Sequence, residues 1–196
     1  MDPVPAQRRT EEHADLDELT LARAQRGDRD ARAALIGRYQ RPVFALLSRM
    51  LSRQRSLVED MAQETFLRVL RALPTFDARG PARLGTWILT IATRLVLDHF
   101  RRRPDQVLDL QAAGAIPTAL PRPDQDADRR ALAVELLRAV DDLGAPFRAA
   151  FLLREAHGMS YDEIASVLEV DIGTVKSRLA RARRALQGAL AEMHDG

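Results

Sequence analysis

The sequence predicts an all-α chain: two small helical domains joined by a flexible linker. Three observations carry that prediction. The chain has 31 alanines and 28 leucines, but only 17 valines and isoleucines together and 5% aromatics. Alanine and leucine lose little side-chain freedom in a helix, and β-branched residues lose more. Apolar residues recur at spacings of three and four in one segment after another. Finally, Pro104, Pro117, Pro121 and Pro123, with Gly114, crowd a stretch of twenty residues that no continuous helix can cross. This divides the 196 residues into a tail at 1–15, expected to be disordered, a first domain at 16–103, a linker at 104–128 and a second domain at 129–196.

In the first domain, Leu16–Arg26 reads as a short helix stopped at Gly27. Asp28 or Asp30 can cap the next helix, which carries Ala33, Ala34, Leu35 and Tyr39 and which Pro42 should bend or restart. Ser56-Leu57-Val58-Glu59 has the spacing of a capping box, opening a helix that runs to about Leu73, ahead of Pro74. Val58, Met61, Ala62, Phe66, Val69 and Leu73 form its apolar stripe, while Asp60, Gln63, Glu64, Leu67 and Arg71 share another face. That face is either solvated surface or a docking surface. Residues 77–85, with two glycines and a proline, read as a loop. A long helix from Thr86 to Arg103 follows, with Trp87, Ile88, Ile91, Leu95 and Phe100 apolar. Its three terminal arginines either complement the helix dipole or grip phosphates.

In the second domain, Arg129–Leu143 reads as an amphipathic helix (Leu132, Leu136, Val140, Leu143) ending at Gly144. Pro146 sits in the first turn of the next helix, which runs through Phe147, Phe151 and Leu152 to about His157. Ser160-Tyr161-Asp162-Glu163 is a second capping-box sequence, opening a short helix with Ile164, Ala165 and Leu168 apolar. Val170–Gly173 reads as a tight turn before a final helix. Ile172, Val175, Leu179, Ala182 and Leu186 make its stripe, with Thr174, Ser177, Arg178, Arg181 and Arg184 pointing away from it.

Composition narrows the function classes. There is no cysteine, which excludes a disulfide framework, a thiolate metal site and a cysteine nucleophile. His13, His99, His157 and His194 are scattered and read as ordinary surface or half-buried residues. No cofactor is expected. No phosphate-cradling glycine loop or nucleophile–base set is present, and Asp141-Asp142 reads as surface charge at a helix end, so an enzyme is not expected. No apolar run is long enough to span a bilayer and the N-terminus lacks an apolar signal core, so a cytoplasmic location without membrane insertion is expected.

The net charge of +2 hides segregation. Residues 1–20 carry six acids and two arginines; 71–103 carry seven arginines and two aspartates; 104–128 carry five aspartates and one arginine. Residues 172–191 contain no acid at all. The only lysine, Lys176, lies in that last segment, and every other cation is arginine. Composition bias explains the preference as well as phosphate and base recognition does. A short capped helix, a tight turn and a basic amphipathic helix are the parts of a helix-turn-helix, whose second helix enters the major groove. Arginine and lysine there can donate to guanine, and Ser and Thr are adaptable partners.

EAHGMSYDEIASVLEVDIGTVKSRLARARRAL resembles region four of the bacterial extracytoplasmic-function sigma factors of the sigma-seventy family. LVEDMAQETFLRVLRALPTFD and TWILTIATRLVLDHFRRR resemble their region two, in the family's order and spacing, so the likeness covers roughly residues 16–190. It implies a promoter-specificity subunit of RNA polymerase. Region two would dock on the clamp helices of the largest core subunit through Asp60, Gln63 and Glu64. The same region would open the minus-ten element and hold a flipped base through Arg79, Arg83, Trp87, Thr90, Arg94, Arg101 and Arg102. Region four would bind the flap of the second-largest subunit. It would read the minus-thirty-five element through Arg154, Thr174, Lys176, Ser177, Arg178 and Arg181. The acidic linker would thread a nucleic-acid channel of the polymerase. Where the family often has Tyr-Arg and, one turn on, Arg-Asn, this chain has Leu89-Thr90 and Thr93-Arg94; Ala180 replaces an aromatic of some members. These departures bear on promoter preference. The resemblance also implies control by an anti-sigma factor, expected in trans because the chain ends soon after region four without a metal-sensing tail, and sometimes held at the inner membrane. The alternative is a stand-alone helix-turn-helix regulator on duplex DNA, which leaves the region-two motifs unexplained.

Overall fold

The computed structural model of the chain describes residues 16–102 and 125–194; the expected tail, most of the expected linker, and with them His13 and Arg103, lie outside. The described residues form eight α-helices and one short 3-10 turn, with no strand. α1 (Glu18–Gln25), α2 (Arg29–Met50), α3 (Leu57–Ala72) and α4 (Leu84–Arg102) pack as an N-terminal bundle, with the 3-10 turn Leu73–Thr75 closing α3. α5 (Gln125–Asp142), α6 (Ala145–Glu155), α7 (Tyr161–Leu168) and α8 (Ile172–His194) form a C-terminal bundle.

The helix ends follow local chemistry. Asp17 accepts the Thr20 N–H at 2.9 Å and Asp28 the Ala31 N–H at 3.0 Å, so both cap the helices that follow them. Gly27 takes a positive φ of 96° between α1 and α2, as a glycine can. Pro42 does not restart the helix: α2 runs unbroken through it for 22 residues. One lost backbone bond is outweighed there by burial, since Tyr39, Val43, Leu46 and Leu47 on either side face the core.

The predicted capping box at Ser56 does not form. Ser56 has helical φ and ψ (−60°, −22°) and its side chain makes no cap. The first N–H groups of α3 instead find the carbonyls of the preceding turn, Leu57 to Gln54 at 2.9 Å and Val58 to Arg55 at 3.2 Å. An N-cap residue must be extended for its oxygen to reach the N3 amide, and this turn holds Ser56 coiled. α5 begins at Gln125, four residues ahead of Arg129. The final helix begins at Ile172, so the turn before it is shorter than predicted, and Ile172, 40% exposed, leaves the buried stripe. Leu136 on α5 is likewise exposed.

The core otherwise follows the stripes. Leu35, Val43, Leu46, Leu47, Met50, Val69, Ile88 and Val96 centre the first bundle; Leu153, Ile164, Val175, Leu179 and Ala182 centre the second. Two core positions are threonines, Thr65 and Thr93, each donating its hydroxyl to the carbonyl four residues back at 2.7 Å. The bundles touch: α2 meets α6, and α4 meets α6 and α7, so their buried apolar residues form one connected cluster.

Candidate nucleic-acid and partner faces

The second bundle builds its basic face on a well-made turn. At Ser160, extended at φ −68° and ψ 164°, the capping box closes in both directions. The Glu163 N–H donates to Ser160 Oγ at 3.2 Å and the Ser160 N–H to Glu163 Oε2 at 2.8 Å. Burial pushes the Glu163 carboxyl up, but bonds from Ser160 and from the Thr86 hydroxyl, with Arg83 nearby, outweigh it and leave the pKa lowered. α7 stops because Glu169 turns left-handed at φ 54°. Asp171 then caps α8, accepting from the Thr174 N–H at 2.7 Å and its hydroxyl at 2.9 Å, and these bonds hold its carboxyl below the usual range. A Cβ at Gly173 would meet Asp171 Oδ1 at 3.0 Å, so a larger residue there would press on the capping carboxylate.

From this base α8 presents Lys176, Ser177 and Arg181 to solvent, with Thr174 and Arg178 half-buried. The Thr174 hydroxyl is engaged with Asp171, and Ser177 Oγ donates to the Thr174 carbonyl at 2.9 Å. Arg154 is committed locally: its guanidinium donates to the Met159 carbonyl at 2.7 Å and lies 5.1 Å over the Tyr161 ring, bracing the entry to α7. Arg183 pairs with Glu155 across α6 at 2.9 Å, and that bond and Tyr161 raise its pKa.

The first bundle places its residues on α4 and the loop before it. Trp87 packs on Phe76 with ring centroids 4.8 Å apart, and Gln25 donates to the Phe76 carbonyl at 2.7 Å, which anchors the loop. Arg79 and Arg83 extend from it, exposed. Thr86, Thr90 and Arg94 follow at four-residue intervals on one face of α4, and Arg101, paired with Asp98, and Arg102 stand exposed at its end. Leu89 and Thr93 are buried, so two of the four departures on α4 point into the core. Trp87, Ile91 and Phe100, predicted as core, are only half-buried; Leu89, Ala92 and Val96 take that role.

On α3, Asp60 and Gln63 are exposed and Glu64 is half-buried, paired with Arg68 at 2.7 Å. With exposed Leu67 they make an acidic face with an apolar member. Beside it a cleft of about 220 Å³ lies between α3 and α4, lined by Met61, Arg68, Leu95, Asp98, His99 and Arg102.

Two functional-looking residues, Arg148 and Arg53, carry no sequence signal, and the predicted Arg94 is found in an unpredicted place. Arg148 is largely buried where the bundles meet. It donates to the carbonyls of Met50 at 2.9 Å and Arg49 at 3.4 Å at the end of α2, and to those of Asp141 and Leu143 at the end of α5. Burial lowers its pKa. Arg53 pairs with Asp142 nearby. Arg94 donates to the carbonyls of Ser166 at 2.7 Å and Val167 at 3.1 Å and pairs with Glu169 at 3.1 Å. Among the described residues there is no cluster of metal-ligating side chains, and no helix is long and apolar enough to cross a membrane.

Comparison with known proteins places this geometry. The description Sigma-70 region 2 matches residues 35–104, and Sigma-70, region 4 matches residues 133–186. The RNA polymerase sigma-H factor of Pseudomonas aeruginosa is 33% identical over 183 residues, covering 89% of this chain and 93% of its own. The ECF RNA polymerase sigma-E factor of Escherichia coli K12 is 33% identical over 180 residues, covering 87% and 92%. Among solved structures, CnrH in complex with the cytosolic domain of CnrY superposes with a TM-score of 0.62 at 26% identity, over 90% of this chain and 97% of that one. The sigma factor RpoE of Bartonella quintana, in complex with the anti-sigma factor NepR, shares the fold with a TM-score of 0.60 at 24% identity, over 81% and 96%.

Proposed function

Since this chain belongs to the sigma-70 family, in its extracytoplasmic-function group, we propose a residue-level division of labour for it. The chain is a sigma factor that binds core RNA polymerase and directs promoter-specific initiation. Asp60, Gln63 and Glu64 on α3 dock on the clamp helices of the largest core subunit, and the second bundle on the flap. α4 and its loop act on the minus-ten element. Arg79, Arg83, Arg94, Arg101 and Arg102 follow phosphates, while Trp87 and Thr90 border the place of an extruded base. Extrusion costs a few kcal/mol, and stacking on an aromatic ring with phosphate contacts offsets it. On α8, Lys176, Arg178 and Arg181 reach the minus-thirty-five element, and Thr174 and Ser177 set the helix end against it. Arg154 acts there by bracing α7.

The observation that carries this reading is the acid-free face of α8, raised on a closed capping box, in the same chain as a region-two bundle. No catalytic step is assigned to the chain itself. Its solved relatives are held by partner proteins, and the same control by an anti-sigma factor is proposed here, with the chain in the cytoplasm, at the nucleoid when active. Run-off transcription with core enzyme on genomic fragments tests the reading. Discrete start sites that need both elements are expected; tight binding of a duplex palindrome without polymerase, and no initiation with it, would falsify it in favour of a stand-alone regulator.

A further inference from the structure

The cleft of about 220 Å³ between α3 and α4 collects side chains that neither polymerase docking nor promoter reading explains, Arg102 excepted. Its walls follow from helix geometry. Met61 and Arg68 stand two turns apart on α3, and Leu95, Asp98, His99 and Arg102 share the side of α4 turned toward it. Met61 and Leu95 supply apolar wall; the rest of the lining is two guanidiniums, an imidazole and one carboxylate. The carboxylate is already matched, because Asp98 pairs with Arg101, which does not line the cleft. Arg68 donates to Glu64 through Nε at 2.7 Å, a bond that leaves its fork of terminal nitrogens unused. Gln54 Oε1, 3.0 Å from His99 Nε2, and the Phe100 ring, edge-on with centroids 5.8 Å apart, hold the imidazole in place. The cleft therefore has an excess of cationic donors over anions.

We infer that this cleft binds a compact oxyanion of the phosphate class, held by Arg68 from α3 and Arg102 from α4 beside His99. Guanidinium forks match phosphate oxygens in pairs. Apolar walls lower the local dielectric and strengthen that pairing. Volume sets the size of the ligand. Sites for drug-sized molecules begin at about 300 Å³, so this cleft suits phosphate, pyrophosphate or a short phosphoryl compound rather than a whole nucleotide. A bound anion ties α3 to α4 and stabilises the first bundle by mass action. The same chemistry has two sources: a free phosphoryl compound, or a backbone phosphate of the strand that Arg102 is proposed to follow. The inference stands without the minus-ten assignment of Arg102, which bears only on the source.

The probe is inorganic pyrophosphate, titrated into the full chain at constant ionic strength against chloride. Wild type should show saturable amide chemical shifts around Met61, Arg68, Leu95 and His99, and a melting temperature that rises with pyrophosphate. Arg68→Gln, at a side chain 48% exposed, should weaken binding about tenfold. Arg68→Lys keeps the charge but loses the fork, and should recover only part of that loss. Met61→Trp, which fills the cleft from α3, should abolish the shifts; should it fail to fold, the two Arg68 variants carry the measurement. A second arm measures affinity for a mixed-sequence single strand of about 15 nucleotides. With a free ion as the ligand, Arg68→Gln should leave that affinity unchanged. Strand affinity that falls with Arg68→Gln, without saturable pyrophosphate shifts, assigns the cleft to a backbone phosphate instead. Absent or Arg68-independent pyrophosphate shifts, together with an unchanged strand affinity, overturn the site. None of these readings depends on initiation, so a failure of the promoter assignment and a failure of the cleft are told apart.

Discussion

The two bundles carry the same four-residue signal, Ser-x-x-Glu, at Ser56 and at Ser160, and only the second becomes a cap. Ser160 follows a chain that leaves Gly158 at φ 66° and arrives extended, so its hydroxyl can reach the Glu163 amide. Ser56 follows a turn already closed by Gln54 and Arg55 carbonyls, and arrives coiled. A capping motif is therefore a statement about side chains that the backbone upstream must license. The functional faces differ in the same way. Lys176 and Arg181 on α8 stand in solvent, where their sequence pattern puts them, whereas Arg94 on α4 is taken by the neighbouring bundle.

The largest expected effect tests whether the bundles are one folding unit or two. Leu35 and Leu179 are each at most 1% exposed, so replacing either with Ala should cost about 2–5 kcal/mol in denaturant unfolding. With the bundles in contact, both losses should appear in a single transition; two separated transitions, each moved by only one variant, would break the picture of a connected core. Next comes the exposed basic face. Lys176→Ala should lower initiation at promoters that depend on the minus-thirty-five element by about 1–3 kcal/mol, about tenfold, with core binding unchanged by co-elution. A fall in core binding would mean that α8 has been given the wrong task. The capping contrast is smaller and sharper. Ser160→Ala should cost about 1 kcal/mol of stability, while Ser56→Ala should stay within about 0.5 kcal/mol. Equal costs would mean that the cap geometry is not what separates the two sites.

The smallest effect is a pH dependence. Asp17 and Asp28 cap the first bundle and Asp171 the second, and N–H donors (from Thr20, Ala31 and Thr174 respectively) lower the pKa of each. A carboxyl whose pKa falls on folding contributes stability above its unfolded value, about 4, and loses it as the pH drops through the folded value. Both bundles should therefore soften together below about pH 4 in thermal melts. Asp171→Asn keeps an acceptor for the Thr174 N–H without a titrating group, and should remove the share of Asp171 from that dependence while leaving the shares of Asp17 and Asp28 in place.

Much of this was legible in the chain. Alanine and leucine at helical spacing, the aspartates after Gly27, Gly27 itself, Pro146 and the Ser160 box set helix positions to within a few residues, because those signals act within one or two turns; the cap at Asp17, read as lying inside the first helix, was not among them. The basic character of α8, acid-free over residues 172–191, was legible for the same reason: its exposed residues need only avoid the stripe of Val175, Leu179, Ala182 and Leu186. Other features had no local signature. Continuity through Pro42 depends on the core that Tyr39 and Val43 find on other helices. The burial of Leu89 and Thr93, where Trp87 and Ile91 had been expected, depends on how α4 is rotated against α2 and α3. Arg148 reads in sequence as one more surface cation on an amphipathic helix; only when α2 and α5 bring their carbonyl ends to the same point does it become a buried pin. The sequence by itself thus determined the helices, their caps and the recognition face, through forces that reach a few residues. Tertiary structure alone decided the occupancy of Arg94 and the closure of the two bundles, because helix C-termini distant in sequence meet only after the chain has packed.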